Sequence, residues 1–466
     1  MELYENKLSG SIPKEAGNMT ALVNLWINDN SLSGVIPQQI GNLHHLRILC
    51  MFMNKLSGPL PPTISNMSSL GTVDISSNTI TGALPSEIGS MKLGILILDH
   101  NALTGTIPSA IGNMSDMRSL LLSSNNLNGP IPSTIGNISN LRDLLLSFNK
   151  LNDLSSNKLS GELPSSICKL SHLNYLLLSN NTLEGRLPHC FENFSGSLTI
   201  FHLNENKFSG LIPSTFSKNC SLMSINLGNN KFHGRLPKSL INCQSLRVLY
   251  IGNNRIQDDF PFWMERLRKL LVLVLRSNKF GGNMSLPSRT KFPFPRLQVF
   301  DVSHNEFLGS LPQRYFKNFR AKIYPTVFYE EFLDYVEMIL TLKGQDQLLN
   351  RLPETFTAID LSSNRFCGTI PPSMGNLKSL KYFNLSHNSL TGHIPSSFGN
   401  MSELESLDLS TNNLNGEIPS ELTRLTFLAK LNLSTNNLVG QIPQSNQFST
   451  FENDSYIGNL GFAEFR

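Results

Sequence analysis

A repeat constrains this 466-residue chain more than any other feature. The segment LVNLWINDNSLSGVIPQQIGNL (22–43) recurs as L-x-x-L-x-L-x-x-N-x-L-x-G-x-I/L-P-x-x-I-G-N-L, and a fixed period of this length decides the architecture before any local signal does. Its index asparagines run Asn6, Asn30, Asn54, Asn78, Asn101, Asn125 and Asn149, then Asn157, Asn181, Asn206, Asn230, Asn254, Asn278 and Asn305, and finally Asn364, Asn388, Asn412 and Asn436. The first run keeps a spacing of 24 or 23 residues, a phase that chance does not hold.

Each element of the unit has a physical reason. The L-x-L alternation predicts a short strand with its leucines inward and the x residues outward. Strands from successive repeats would stack ~4.8 Å apart into one parallel sheet on the inner side of a curved stack. The Asn carboxamide both donates and accepts, so it can satisfy buried backbone groups at the turn after each strand. In G-x-[IL]-P, glycine permits backbone that other residues resist, and proline fixes φ while removing a donor. Fifteen such tetrads run from GSIP (10–13) to GQIP (440–443), so the unit extends along almost the whole chain.

Composition excludes several classes. Hydrophobic residues at 40% can bury a large core, while charged residues at 15% are few for a cytosolic globular protein. A net charge of +4 gives no nucleic-acid footprint and no basic membrane patch. The longest apolar run is LLVLVL at 270–275, far short of the ~18 residues of a membrane span. The opening MELYENKLSG has no basic stretch followed by an apolar one, so no secretory leader is expected within it. Glycine-rich-loop, His-Arg-Asp and Asp-Phe-Gly kinase elements are absent from the sequence.

The unit resembles the plant-specific class of leucine-rich repeat. That resemblance covers nearly the whole chain and implies an α/β-type leucine-rich-repeat solenoid, a right-handed stack that is curved and superhelically twisted. In that class a parallel β-sheet lines the concave face, and Gly-x-Ile-Pro begins a second short strand.

Breaks in the period sharpen the reading. Asn149 and Asn157 lie only eight apart, as if 16 residues of a 24-residue unit were missing, and a local ladder defect is expected there with Asn152 at an inward leucine position. Asn305 and Asn364 lie 59 apart. The intervening insert is rich in Tyr and Phe, among them Tyr315, Phe316 and Phe319, which argues against disorder. An island four repeats before the end, closing on TLKGQDQ and then FTAIDLSSNRFCGTIP, resembles plant receptor-like proteins, with Lys343 and Gly344 matching that family's Lys-Gly pair. The block 219–263 matches the repeats preceding the island in the same family. The expected organisation is a solenoid over 1–310, an island over 311–355, four repeats over 356–444 and an incomplete terminal cap over 445–466. The chain begins inside a repeat and lacks the family's capping cysteines, so a truncated ectodomain is expected. Placement at the extracellular face of the plasma membrane follows from the resemblance alone.

Six cysteines occur without C-x-x-C or zinc-type spacing, and no metal or cofactor is expected. Cys220 and Cys243 share nearly one phase of adjacent repeats, so a bridge is plausible, as is Cys168–Cys190 at a poorer match. Cys50, at an outward position, and Cys367 would then be unpaired. Among twelve N-x-S/T acceptors, Asn18, Asn66, Asn113, Asn137 and Asn400 share the G-N position of the repeat, on the outer side where a glycan is tolerated. Asp74, Asp301, Asp360 and Asp408 fall at one strand phase and read as solvated positions. His44, His45, His100, His202, His304 and His387 read the same way. No nucleophile–base pair has a motif around it, so a non-enzyme is expected.

The outward strand positions define a candidate binding face. Trp26 and Tyr250 are its aromatic anchors, and Ile97, Leu121, Leu145 and Leu177 form an apolar stripe suited to a peptide or protein. By resemblance, the island near Tyr324, Tyr329, Tyr335 and Lys343 would join the ligand side. The strands around Lys381, Tyr382, Glu405 and Lys430 would dock a short-ectodomain co-receptor kinase, with an adaptor kinase carrying the signal onward. The implied function is a non-catalytic recognition ectodomain in immune or developmental signalling. Two alternatives stay open: the ectodomain of a peptide-hormone receptor kinase, and a soluble cell-wall inhibitor of microbial pectin-degrading enzymes.

Overall fold

The computed structural model describes residues 1–149, 158–192, 196–285, 292–319, 338–342, 345–349, 352–353, 355–444, 447–459 and 461–462. It forms two compact units, Met1–Leu222 with Asn229–Phe232, and Met223–Gly228 with His233–Arg466. Each is a stack of the same three-part repeat. In the repeat around Asn30, strand Asn24–Trp26 leads into a turn, then into a second strand Ser31–Val35 and a 3-10 helix Gln38–Asn42. Leu25, Leu32 and Ile40 point inward and are buried. Pro37, at φ −68°, starts the helix without needing an N–H.

Two glycines of this repeat are demanded by geometry. Gly34 sits at φ +76°, where L side chains are strained. A Cβ on Gly41 would stand 2.3 Å from the Thr63 carbonyl oxygen, so successive helices approach too closely for any side chain there.

The index asparagines build the expected ladder. Asn30 Nδ2 donates to the Leu3, Ile27 and Asn28 carbonyls at 2.8, 3.2 and 3.0 Å, while its Oδ1 accepts from Leu8 N at 2.9 Å. Each amide thus closes its own turn and ties it to the preceding repeat. The residue before it takes a left-handed conformation in repeat after repeat, from Asp29 (φ 53°) to Thr435 (φ 54°), although none is glycine. In the second unit the ladder runs past the counted marks. Asn459 donates to Leu433 and Tyr456 carbonyls at 2.9 Å and accepts from Leu438 N at 3.0 Å, and Gly461–Phe462 pairs with Val439–Gly440. The segment read as a cap therefore adds one further rung and strand pairing in the manner of a repeat.

Both breaks in the period are insertions within one repeat. Strand Asp143–Leu145 pairs directly with Tyr175–Leu177, and Asn181 Nδ2 reaches Leu146 O at 3.0 Å, so the next rung after Asn149 is Asn181. That step is 32 residues against 24 between Asn125 and Asn149, so the repeat carries eight extra residues rather than lacking 16. Among the described residues Asn181 Oδ1 is buried without a donor; Asn152 and Asn157 lie outside the described residues. Likewise Val299–Asp301 pairs directly with Ala358–Asp360, and Asn364 Nδ2 reaches Val302 O at 3.0 Å across the long insert.

The insert's first helix, Gln313–Asn318, belongs to the core. Tyr315, Phe316 and Phe319 are fully buried, with Tyr315 packed among Phe260, Phe294 and Phe300 at centroid distances of 5.8, 5.9 and 6.3 Å. The buried Glu265 carboxylate accepts from Tyr315 Oη at 2.7 Å and from Arg314 Nη2 at 2.8 Å, clamping this helix to the 3-10 helix Phe262–Arg266. Among the described residues no helix is long and apolar enough to cross a membrane.

Candidate ligand-binding surface

In the first unit the outward positions stand in strict parallel register. Trp26 faces Cys50, Cys50 faces Asp74, Asp74 faces Ile97, and the column continues through Leu121, Leu145 and Leu177 to His202. Trp26, Ile97, Leu121, Leu145 and Leu177 are all half-buried, each wedged between the neighbouring strands with part of its side chain open. Their spacing of ~4.8 Å makes the four aliphatics one unbroken strip about 14 Å long. Two members of the column differ from the outward reading. Cys50 is buried, and burial with the nearby Asp74 charge pushes its thiol up to about 11. His202 is also buried, and desolvation lowers its imidazole to about 4, so it closes the strip as a neutral ring.

The second unit departs further from expectation. Tyr250 is not an exposed anchor: it is 2% exposed, inside a cluster with Val248, Val272, Val274, Val299, Leu352, Phe356 and Ala358. The valines occupy outward positions of their strands, and Leu352 and Phe356 return from the insert to cover them. Gly228 and Gly252 make room for the phenol ring. A Cβ on Gly228 would lie 2.3 Å from Tyr250 Cε1, and one on Gly252 would lie 3.2 Å from the same atom. These glycines, in LGNN and IGNN where most other repeats carry Ser or Asn, were the available sequence signal.

Asp301 and Asp360 are likewise buried rather than solvated, and they stand opposite each other on paired strands. Burial pushes Asp360 up to about 7, with the Asp301 charge adding to it, and burial raises Asp301 as well. Farther along, amides alternate with acids: Asn384 Nδ2 donates to Asp360 Oδ2 and Asn432 Nδ2 to Asp408 Oδ2, both at 3.2 Å.

Three of the four residues assigned by resemblance to a partner surface form one cluster. Glu405 accepts from Lys381 Nζ at 2.9 Å and from Tyr382 Oη at 3.0 Å, and Tyr382 is half-buried with its phenol pushed up to about 12 by burial and Glu405. Lys430 is exposed and lines a cleft of about 380 Å³ with Asn432, Glu452 and Asp454. Tyr324, Tyr329, Tyr335 and Lys343 lie outside the described residues. Near the last of these, Met338–Leu342 and Gln345–Leu349 pair antiparallel as a hairpin.

Cys168 and Cys190 are joined, with Cα atoms 5.4 Å apart, and Cys220 and Cys243 are both disulfide-bonded. Cys50 and Cys367 are free thiols. Asn18, Asn66, Asn113, Asn137 and Asn400 each end a 3-10 helix, and all five are exposed. No group of three or more His, Cys, Asp or Glu among the described residues could hold a metal.

Comparison with known proteins agrees with this architecture. A family model described as leucine-rich repeat region matches residues 21–229, and one described as leucine rich repeat matches 355–414. Receptor-like protein 54 of Arabidopsis thaliana is 39% identical over 211 residues, 42% of this chain and 26% of that protein. Receptor-like protein 33 of the same plant is 39% identical over 204 residues, 41% of this chain and 22% of that protein. The chain thus spans about a quarter of the length of the curated relatives it matches. Among solved structures, the plant peptide hormone receptor RGFR1 in complex with RGF2 is 32% identical with a TM-score of 0.76, covering 99% of this chain and 74% of that one. The Arabidopsis receptor kinase HAESA, solved with the peptide hormone IDA and the co-receptor SERK1, is 29% identical with a TM-score of 0.73, covering 99% and 78%. The chain belongs to the plant leucine-rich-repeat receptors, the family of the receptor-like proteins and of the receptor-kinase ectodomains.

Proposed function

We infer that this chain is the ligand-recognition part of a plant cell-surface receptor that signals through partner kinases and has no catalysis of its own. The observation that carries the reading is the strip Ile97–Leu121–Leu145–Leu177, half-open and in register on a rigid sheet. An apolar strip held this way is a binding surface in search of an extended partner. Peptide and co-receptor complexes of the structural relatives support the same role. The cluster Lys381–Tyr382–Glu405 with exposed Lys430 is the proposed co-receptor side, and the five exposed asparagines are the proposed glycan side.

Panning a displayed random peptide library on the chain provides the test. Peptides that bind the parent should lose binding to Leu121→Asp while the melting temperature stays within a degree or two, because Leu121 is not part of the buried core. A library that yields no binder sensitive to this change would sink the reading. The wall-inhibitor alternative is checked by a fungal polygalacturonase assay, where no inhibition is expected.

A further inference from the structure

Two carboxylates stand at one end of the aliphatic strip. Asp74 lies opposite Ile97 on the neighbouring strand, and Asp99 follows Ile97 by two residues in the turn that leaves its strand. Both side chains are half-buried, and each has one oxygen engaged by its own scaffold. Asp74 Oδ1 accepts from Ser76 N and Ser76 Oγ at 3.0 and 2.7 Å, and Asp99 Oδ1 accepts from Ser123 N at 2.5 Å. Among the described residues neither Oδ2 receives a donor.

The chain supplies cations beside these acids but not at them. One position of the repeat, immediately before each strand, is linked from strand to strand by backbone hydrogen bonds through Arg47, Gly71, Gly94, Arg118 and Arg142. Its arginines are exposed, yet the two strands that carry Asp74 and Ile97 have glycine there instead. A Cβ on Gly71 or Gly94 would meet nothing closer than 3.6 Å, so the approach along these two strands is open. The two acids also interact: burial and the Asp74 charge push Asp99 up to about 7.

We propose that this face binds a peptide with a lysine or arginine next to aliphatic side chains. The cation sits between Asp74 and Asp99, and the aliphatic side chains lie along Leu121, Leu145 and Leu177. The strip's length of about 14 Å takes four or so extended residues at ~3.4 Å each. Charge complementarity fixes the class of partner and the direction in which it lies. An acidic peptide would meet two uncompensated carboxylates. The proposal rests on the receptor reading above, and its test separates the two.

Peptides selected from the random library at pH 7.5 are sequenced and resynthesised, and their binding to the full chain is followed by calorimetry. The expected selection is enriched in Lys or Arg beside Leu, Ile or Val. The paired change Asp74→Asn with Asp99→Asn, which keeps each Oδ1 acceptor, should weaken such a peptide about tenfold or more. It should leave the same peptide with norleucine in place of lysine unchanged. Parent affinity should rise between pH 5 and pH 8 as Asp99 loses its proton. Binders that depend on Leu121 but carry no cation, or that ignore the paired change, overturn this proposal and leave the receptor reading standing. Absence of any Leu121-dependent binder, with Leu145→Asp as the second check, overturns both.

Discussion

Phe356 stacks on Tyr382 with ring centroids 5.2 Å apart, and Tyr382 donates in turn to Glu405. The end of the insert is thereby joined to the residues proposed to meet a partner. The same Phe356, with Leu352, seals the valine and tyrosine cluster on strands Val248–Tyr250, Val272–Val274 and Val299–Asp301. On those three strands of the second unit the sheet face is therefore already occupied by the chain itself. In the first unit the described residues leave it open.

Replacing Phe356 by alanine should lower unfolding stability by about 3–5 kcal/mol, the range for a buried aromatic truncated in place. Tyr250 and the surrounding valines would then face solvent, so an environment-sensitive hydrophobic dye should bind the variant and not the parent. Urea titration and dye fluorescence check both arms. A variant that unfolds with the parent and binds no dye shows that Phe356 is not the cover.

The asparagine ladder predicts a large cost for a small change. Asn412 is buried, donates to the Leu385, Leu409 and Ser410 carbonyls at 3.0, 3.2 and 3.1 Å, and accepts from Leu390 N at 3.0 Å. Asn412→Ala strands Leu390 N, worth ~1–3 kcal/mol when unsatisfied, and takes one donor from each of three carbonyls that keep another in Asn388 Nδ2, Asn436 Nδ2 and His387 N. The orphaned N–H and the three weakened carbonyls together give an expected loss of about 2–3 kcal/mol. Asn412→Asp should fare no better, since a carboxylate would face three carbonyl oxygens. Exposed Asn18→Ala, measured alongside, should change nothing.

The residue before each rung offers a gain instead. Thr411 holds φ at 52° although it is β-branched, a conformation that favours asparagine or glycine. Thr411→Asn should raise stability by about 0.5–1 kcal/mol, read as an upward shift of the melting temperature. A lowered melting temperature would mean that the threonine side chain makes contacts outweighing its backbone strain.

Much of this fold was legible because the repeat states the same physics many times. The inward leucines, the Asn rungs and the Gly-x-Ile-Pro turn each follow from spacing alone, as Leu25, Asn30 and Gly34 show. What spacing could not reveal was contact between segments distant in sequence. Tyr250 reads as outward by phase, yet a segment about a hundred residues later covers it. Asp301 and Asp360 share a phase but are 59 residues apart, so their direct pairing required knowing that the insert leaves the sheet unbroken. The Asn149–Asn157 spacing reads as 16 missing residues, and only the pairing of Asp143–Leu145 with Tyr175–Leu177 reveals eight extra ones instead.

Asp99 makes stability depend on pH with a definite sign. Burial first, and then the Asp74 charge, push its carboxyl up to about 7 from an ordinary value near 3.8, against the opposing hydrogen bond from Ser123. The folded protein therefore holds a proton here that the unfolded chain has released. The resulting stabilisation is complete below about pH 4 and is lost as pH rises through 7. Asp360 works in the same direction, while His202, lowered to about 4, works in the opposite one between pH 4 and pH 6.5. The parent curve alone would mix these, so the quantity to measure is the difference between the parent and Asp99→Asn. Asparagine keeps the acceptor for Ser123 N but never ionises. The melting temperature of the variant should exceed that of the parent at pH 8, and the two should converge towards pH 4. Parallel curves across this range would mean that the carboxyl ionises as freely in the folded protein as in the unfolded chain.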